Sequence, residues 1–150
     1  MSDDTIIDQQ AAEDRHYSSY MTKHNGGAIV LNKGDVGIAH IGTPDKRWHD
    51  FFIKEFIFWL QEKGLNAYLD SNDIVIDGYK VCGISVRGVG AIEYTAGIIG
   101  INTKLTDIQA ICTKEMKKIP KGLSDYDITT EEVEEWFLNF CNKCKQLHII

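Results

Sequence analysis

Hydrophobic positions change period several times along the chain, and each change marks a candidate element. Residues 1–20 are polar, carry Asp3, Asp4, Glu13 and Asp14, and show little apolar periodicity, so they are expected to be a mobile arm or a short helix. From Gly27 two short β-branched runs, AIVLN and DVGIAHIG, flank Lys33-Gly34-Asp35, whose turn chemistry predicts a hairpin. Over residues 45–63, Trp48, Phe52, Phe56, Trp59 and Leu60 recur along one helical face. Thr43 or Asp45 is the expected cap, and Gly64 the expected stop. Such a stripe is the core face of a helix far more often than a cofactor groove.

Strands are expected at 66–70, 73–78 and 79–87, with Asp77-Gly78 joining the last two. An Asp-Gly pair between β-rich runs is a strong hairpin signal, because a type I′ turn needs positive φ at both positions. Residues 91–102 read as a further strand whose glycines allow a bend or bulge. A short helix near 106–116 leads into the loop Lys118-Ile119-Pro120-Lys121-Gly122. The closing helix should begin at Thr129 or Thr130: Thr129 and Glu132 have capping-box spacing, with acidic residues at the start and Lys143 and Lys145 at the end. The sum is an α+β fold, a mixed and mainly antiparallel sheet packed with helices, over a single domain at 21–150 behind the arm.

Length and composition fit that picture. At 150 residues, 43% hydrophobic and 25% charged, the chain can bury one core without covalent staples. Its net charge of −6 argues against general duplex nucleic-acid binding, which needs cations to neutralise phosphates. No basic flank followed by an apolar run opens the sequence, so the expectation is a cytoplasmic protein without membrane contact. Cys82, Cys112, Cys141 and Cys144 are too few and too irregular for a disulfide framework. Cys141, Cys144 and His148 have metal-like spacing on one helix, but packing as small apolar residues is the commoner use, and no metal site is expected.

Two stretches carry candidate chemistry. Asn25-Gly26-Gly27-Ala28 ahead of a strand would expose backbone N–H groups where an anion or carbonyl can approach closely. Further on, Asn72-Asp73-Ile74-Val75-Ile76-Asp77-Gly78-Tyr79-Lys80-Val81-Cys82-Gly83 places Lys80 on a strand, able to act as a point charge toward a carboxylate, phosphate or developing oxyanion. In this order the stretches resemble the biotin/lipoate protein ligase and lipoyl(octanoyl) transferase superfamily. Its members carry Arg-Arg-x-Ser-Gly-Gly-Gly-Ala-Val and then Asn-Asp-x-x-x-x-Gly-x-Lys-x-x-Gly. Here Thr22-Lys23-His24-Asn25-Gly26-Gly27-Ala28-Ile29 matches the first at its glycines, and residues 72–83 match the second throughout.

The resemblance covers roughly residues 22–137 and implies a class II synthetase-like fold whose sheet cradles an acyl chain. It implies catalysis by Lys80, with Lys121 the second catalytic candidate by position, and ligand binding by Lys23, Asn25, Gly26, Gly27, Asn72, Asp73 and Gly83. It further implies ATP with magnesium, with lipoate, octanoate or biotin as the acyl group, and a lipoyl or biotinyl carrier domain whose lysine accepts it. Transferases of this kind draw a nucleophilic thiol from a Pro-Cys-Gly segment; the similar Pro120-Lys121-Gly122 has Lys121 there, which cannot replace a thiolate without a large fall in pKa. Thr22 and Lys23 stand where the family has an arginine clamp. The glycine pair also lies close to the first residue, leaving little room for the elements that precede it in longer members. These departures frame a second expectation, an inactive scaffold of the same fold that binds a small ligand or another protein partner, viral or accessory in origin.

Overall fold

A computed structural model describes residues 7–18, 29–43 and 47–149. Its centre is a five-stranded sheet made of β1 (Val36–Gly42), β2 (Ala67–Asp70), β3 (Asp73–Ile76), β4 (Tyr79–Val89) and β5 (Ile92–Ile99), in the order β1-β5-β4-β3-β2. Every pairing in it is antiparallel. Among the described residues the parallel element of the expected mixed sheet is a single bridge between Lys80 and Pro120.

Two long helices cover one face. α2 (Arg47–Glu62) buries Trp48, Phe52, Phe56 and Leu60, and α4 (Thr130–Gln146) buries Val133, Phe140 and Cys144. They meet Ile38, Ile74, Ile76, Cys82, Ile84 and Ile99 from the sheet. Aromatic rings dominate the seam: Phe52 lies 5.7 Å from Phe56 and 5.6 Å from Phe140, and Trp136 packs 4.9 Å from Phe56. Offset and edge-on rings add to area burial, so the apolar stripe of α2 is spent on the core and forms no groove.

The ends of these helices follow local chemistry. Gly64 ends α2 with φ +81°, a conformation that costs other residues a Cβ clash. Thr129 caps α4 through a capping box: its hydroxyl accepts from Glu132 N at 3.2 Å and its own N–H donates to Glu132 Oε2 at 2.8 Å. Pro44 and Asp45 lie outside the described residues. Of the three proposed metal-spaced residues, Cys144 is buried in the core, whereas His148 falls beyond the helix with φ +54° and does not share its face. No group of three or more potential metal-ligating side chains forms among the described residues.

The hairpin expected between residues 28–32 and 35–42 does not form over the described residues. Residues 29–32 are not in a strand, and β1 pairs with β5 instead. Asp35 explains the difference: its carboxylate accepts from Asn32 N at 2.8 Å within the turn, and from Ile101 N at 2.7 Å and Asn102 N at 3.2 Å across the fold. The turn at Lys33-Gly34 is thereby tied to the end of β5 and not to a partner strand. The N-terminal stretch contributes α1 (Gln9–Asp14), capped by Asp8 and docked on α3 (Leu105–Ile111) through Asp8 N to Ile111 O at 2.7 Å. α3 ends at Ile111, short of the expected 116, because Cys112 turns to bridge Ile7. No helix among the described residues is long and apolar enough to cross a membrane.

Candidate functional site

The face of the sheet away from α2 and α4 is organised by one irregularity. Asp77 and Gly78 take φ of +50° and +85°, the two positive values of the expected tight turn between β3 and β4. Pairing then runs Ile76 with Tyr79 and Val75 with Lys80, but resumes as Ile74 with Cys82 and Asp73 with Gly83. Val81 is the extra residue of a β-bulge. In a regular strand Lys80 and Gly83, three positions apart, would point to opposite faces. The bulge turns both to the open face, beside Asp73 and Val75.

Glycine at 83 is what makes room for the lysine. A Cβ there would come within 3.0 Å of Lys80 Cε and Nζ and 3.5 Å of Asp73 Oδ1. With no side chain in the way, Lys80 Nζ reaches Asp73 Oδ1 at 2.9 Å. The other oxygen, Asp73 Oδ2, accepts from Lys118 Nζ at 2.9 Å. Lys118 Nζ also donates to the backbone oxygen of Asp70 at 2.8 Å and lies 3.5 Å from its carboxylate. Burial alone would raise the Asp73 pKa, but the two ammonium hydrogen bonds outweigh it and hold the carboxyl below its ordinary value. The bond to Asp73 raises Lys118 in turn.

Lys118 was not singled out by sequence. It belongs to a lysine-rich run, Lys114-Glu115-Met116-Lys117-Lys118, with no periodicity to mark it, and meets Asp73 only because residues 119–121 lie alongside β4. Asn72 sits exposed at the β2–β3 turn and contributes its backbone oxygen, which accepts from Ile84 N at 3.1 Å. Lys23, Asn25, Gly26 and Gly27 lie outside the described residues.

Lys121 is joined to Lys80 through the backbone, its N–H donating to Lys80 O at 2.9 Å. Its ammonium goes elsewhere, 5.0 Å from the Tyr79 ring and 4.9 Å from that of Tyr126. Tyr79 pairs with core-facing Ile76, so this ammonium sits on the side opposite Lys80. The following Gly122 is fixed by space, since a Cβ would stand 2.1 Å from Ile101 O. Neither Cys82 nor Cys112 is set up as a substitute nucleophile: burial pushes the Cys82 thiol up to about 12 and also raises Cys112.

Beyond Gly83 the open face continues as three short rows. Gly37, Ile98 and Gly83 align across β1, β5 and β4; Ala39, Ala96 and Ser85 form the next row, then Ile41, Tyr94 and Arg87. Alternate residues are about 6.6 Å apart along a strand, so the rows span about 13 Å from Gly83 to Arg87, with small side chains beside Ile98 in the first two rows and Ile41, Tyr94 and Arg87 closing the third. Exposed Ile41, Val89 and Ile92 make its far end apolar. The site thus joins a charged end to a narrow strip of small side chains.

Comparison with known proteins identifies the family and the fold. Residues 2–138 match the family described as the lipoyl protein ligase A/B catalytic domain. A putative lipoate-protein ligase A of Saccharomyces cerevisiae is 23% identical over 108 residues, covering 70% of this chain and 26% of its own length. Among solved structures, a putative lipoate protein ligase of T. acidophilum with bound lipoic acid is 16% identical, with a TM-score of 0.73 over 95% of this chain and 64% of that one. LipL1 of P. falciparum in complex with lipoate has a TM-score of 0.76 at 16% identity, over 93% of this chain and 44% of that one. A lipoate-protein ligase A bound with ATP gives 0.75 at 16% identity, over 95% and 64%. The class II synthetase-like fold is therefore the one adopted, and with the family match spanning most of its length the chain belongs to the lipoyl protein ligase A/B catalytic-domain family.

Proposed function

We propose that this chain is the catalytic domain of an ATP-dependent ligase that joins a lipoyl or octanoyl group to a lysine of a carrier domain. The observation that carries the reading is the bulge that places Lys80 above Gly83 at the charged end of a strip of small side chains. An acyl chain laid over Gly37, Ala39, Ser85 and Ala96 would bring its carboxyl to the Lys80 ammonium. When the acceptor amine attacks the activated carbonyl, negative charge develops on the carbonyl oxygen, and the Lys80 ammonium, turning to it from Asp73, stabilises it.

Activation by ATP is favoured over a thioester relay. Position 121 offers an ammonium held over two aromatic rings, which supplies no nucleophile, so the leaving group must come from the activated acyl donor itself. Lys80, the more exposed of the two lysines at the Asp73 end, keeps donors free for an anionic phosphoryl group. Both Asp73 oxygens already receive ammonium groups, which makes this carboxylate a poor magnesium ligand; magnesium arriving with ATP would be held by phosphate oxygens and water.

The test is acyl transfer to an apo lipoyl or biotinyl carrier domain, read as intact mass, with ATP, magnesium and lipoate, octanoate or biotin in separate reactions. The expected result is a lipoyl or octanoyl mass increment that falls by about 10²–10³ in rate in Lys80→Ala. An unmodified acceptor in all three reactions would refute the ligase reading and favour a binding scaffold. Transfer at full rate by Lys80→Ala would remove Lys80 from the chemistry.

A further inference from the structure

Asp73 is served by two ammonium groups, one on each oxygen, and the two differ in how firmly they are held. Lys118 is only 20% exposed and is anchored three ways, to Asp73 Oδ2, to the Asp70 backbone oxygen and to the Asp70 carboxylate. Lys80 is 40% exposed, and among the described residues its ammonium is engaged by Asp73 alone. Ammonium has three donors, so Lys118 is close to saturated while Lys80 keeps capacity to spare.

This asymmetry matters when Lys80 turns toward a ligand. The Asp73 carboxylate is 20% exposed, and a largely buried carboxylate that loses its only cation pays an uncompensated desolvation cost. We propose that Lys118 is a positioning residue: it stays on Asp73 as a fixed counter-charge, so that Lys80 can leave the carboxylate for the reacting acyl group at little cost. The role rests on the ligase reading and acts entirely through Asp73. Lys118 is not placed to touch the acyl carbonyl, because its donors already face Asp70 and Asp73. A lysine that merely pinned the β2–β3 turn would also be anchored to Asp70, and the two roles separate by experiment.

The experiment is a double-mutant cycle on the full chain. Affinity for non-hydrolysable octanoyl-, lipoyl- and biotinyl-adenylate analogues is measured by calorimetry in wild type, Lys118→Met, Asp73→Asn and the double variant. Alongside, carbon NMR of the carboxyl groups follows the titration of Asp73, whose carboxylate faces Lys80, Lys118 and, behind Lys118, the Asp70 carboxylate, with the protonated Cys82 thiol on the other side of the sheet.

The expected result is that Lys118→Met weakens the preferred analogue about tenfold and raises the Asp73 midpoint, Lys118→Arg restores most of the affinity, and removing Lys118 in the Asp73→Asn background changes affinity little, since coupled residues fail to add. Equal loss of affinity in both backgrounds would overturn the proposal, as direct ligand contact or a structural role predicts. An unmoved Asp73 midpoint would overturn it without any reference to ligand. If wild type binds none of the analogues while the midpoint still moves, the ligase reading falls and the hand-over by Lys80 falls with it.

Discussion

The two faces of one sheet are built on opposite plans. Under α2 and α4, large rings and branched side chains dominate, and Phe52, Phe56, Ile74, Ile76 and Ile99 are wholly buried. On the other face Gly37, Ala39, Gly83, Ser85 and Ala96 line the middle strands, and charge gathers at one end on Asp73, Lys80 and Lys118. The first face stores stability and is insensitive to the identity of any ligand. The second leaves space, and its chemistry depends on a single extra residue, Val81, that decides which way Lys80 points.

Substitutions can separate the faces, beginning with the largest effect. Phe52→Ala should cost about 3–5 kcal/mol in chemical denaturation, since it empties the centre of the aromatic seam. The ligand preference of whatever remains folded should be unchanged; a changed preference would mean that the core reaches the site. Gly83→Ala inverts this pattern. Its Cβ presses on the flexible end of Lys80, so stability should change by less than about 1 kcal/mol, while binding of an acyl-adenylate analogue should fall about tenfold. Unaltered binding would show that Lys80 need not occupy that space.

Thr129→Ala removes the hydroxyl of the capping box and should cost about 1 kcal/mol in thermal or denaturant unfolding, with ligand affinity as in wild type. The smallest effect is a pH dependence on the open face. The folded Asp73 carboxyl lies below its ordinary value, so its contribution to stability is present above the unfolded midpoint of 3.8 and is lost as pH falls through the lower, folded one. Asp73→Asn should therefore flatten the acid limb of the stability profile below about pH 4. An acid limb of unchanged slope would mean that Asp73 is not held by its lysines in solution.

The helix-covered face was legible in the sequence because its signals are local. The four-residue spacing from Trp48 to Leu60 marks a helical stripe, Thr129 with Glu132 spells the cap, and Asp77-Gly78 announces the turn. What failed were inferences that needed a distant partner. The run before Lys33 looks like a strand, yet Asp35 bonds to Ile101 and Asn102 far along the chain and takes the turn out of any hairpin.

The open face was legible by motif and not by physics. Strand alternation alone would set Lys80 and Gly83 on opposite sides, and only the register of β3 against β4 reveals the bulge that joins them. Lys118 shows no sequence pattern at all, because its relation to Asp73 is created by the return of residues 119–121 to β4. Position 121 was readable as a departure from a thiol, but its aromatic neighbours Tyr79 and Tyr126 became visible only in the fold.

The central claim is that the bulged, small-residue face receives an acyl group with its carboxyl at Lys80. A crystal structure of the chain with a non-hydrolysable octanoyl- or lipoyl-adenylate analogue tests it most directly. The account predicts the acyl chain over Ala39, Ser85 and Ala96, Lys80 Nζ within hydrogen-bond reach of the carbonyl or phosphoryl oxygen, and Lys118 still on Asp73. An analogue bound on the helix-covered side, or bound with Lys80 still paired to Asp73 and remote from the acyl group, would contradict it.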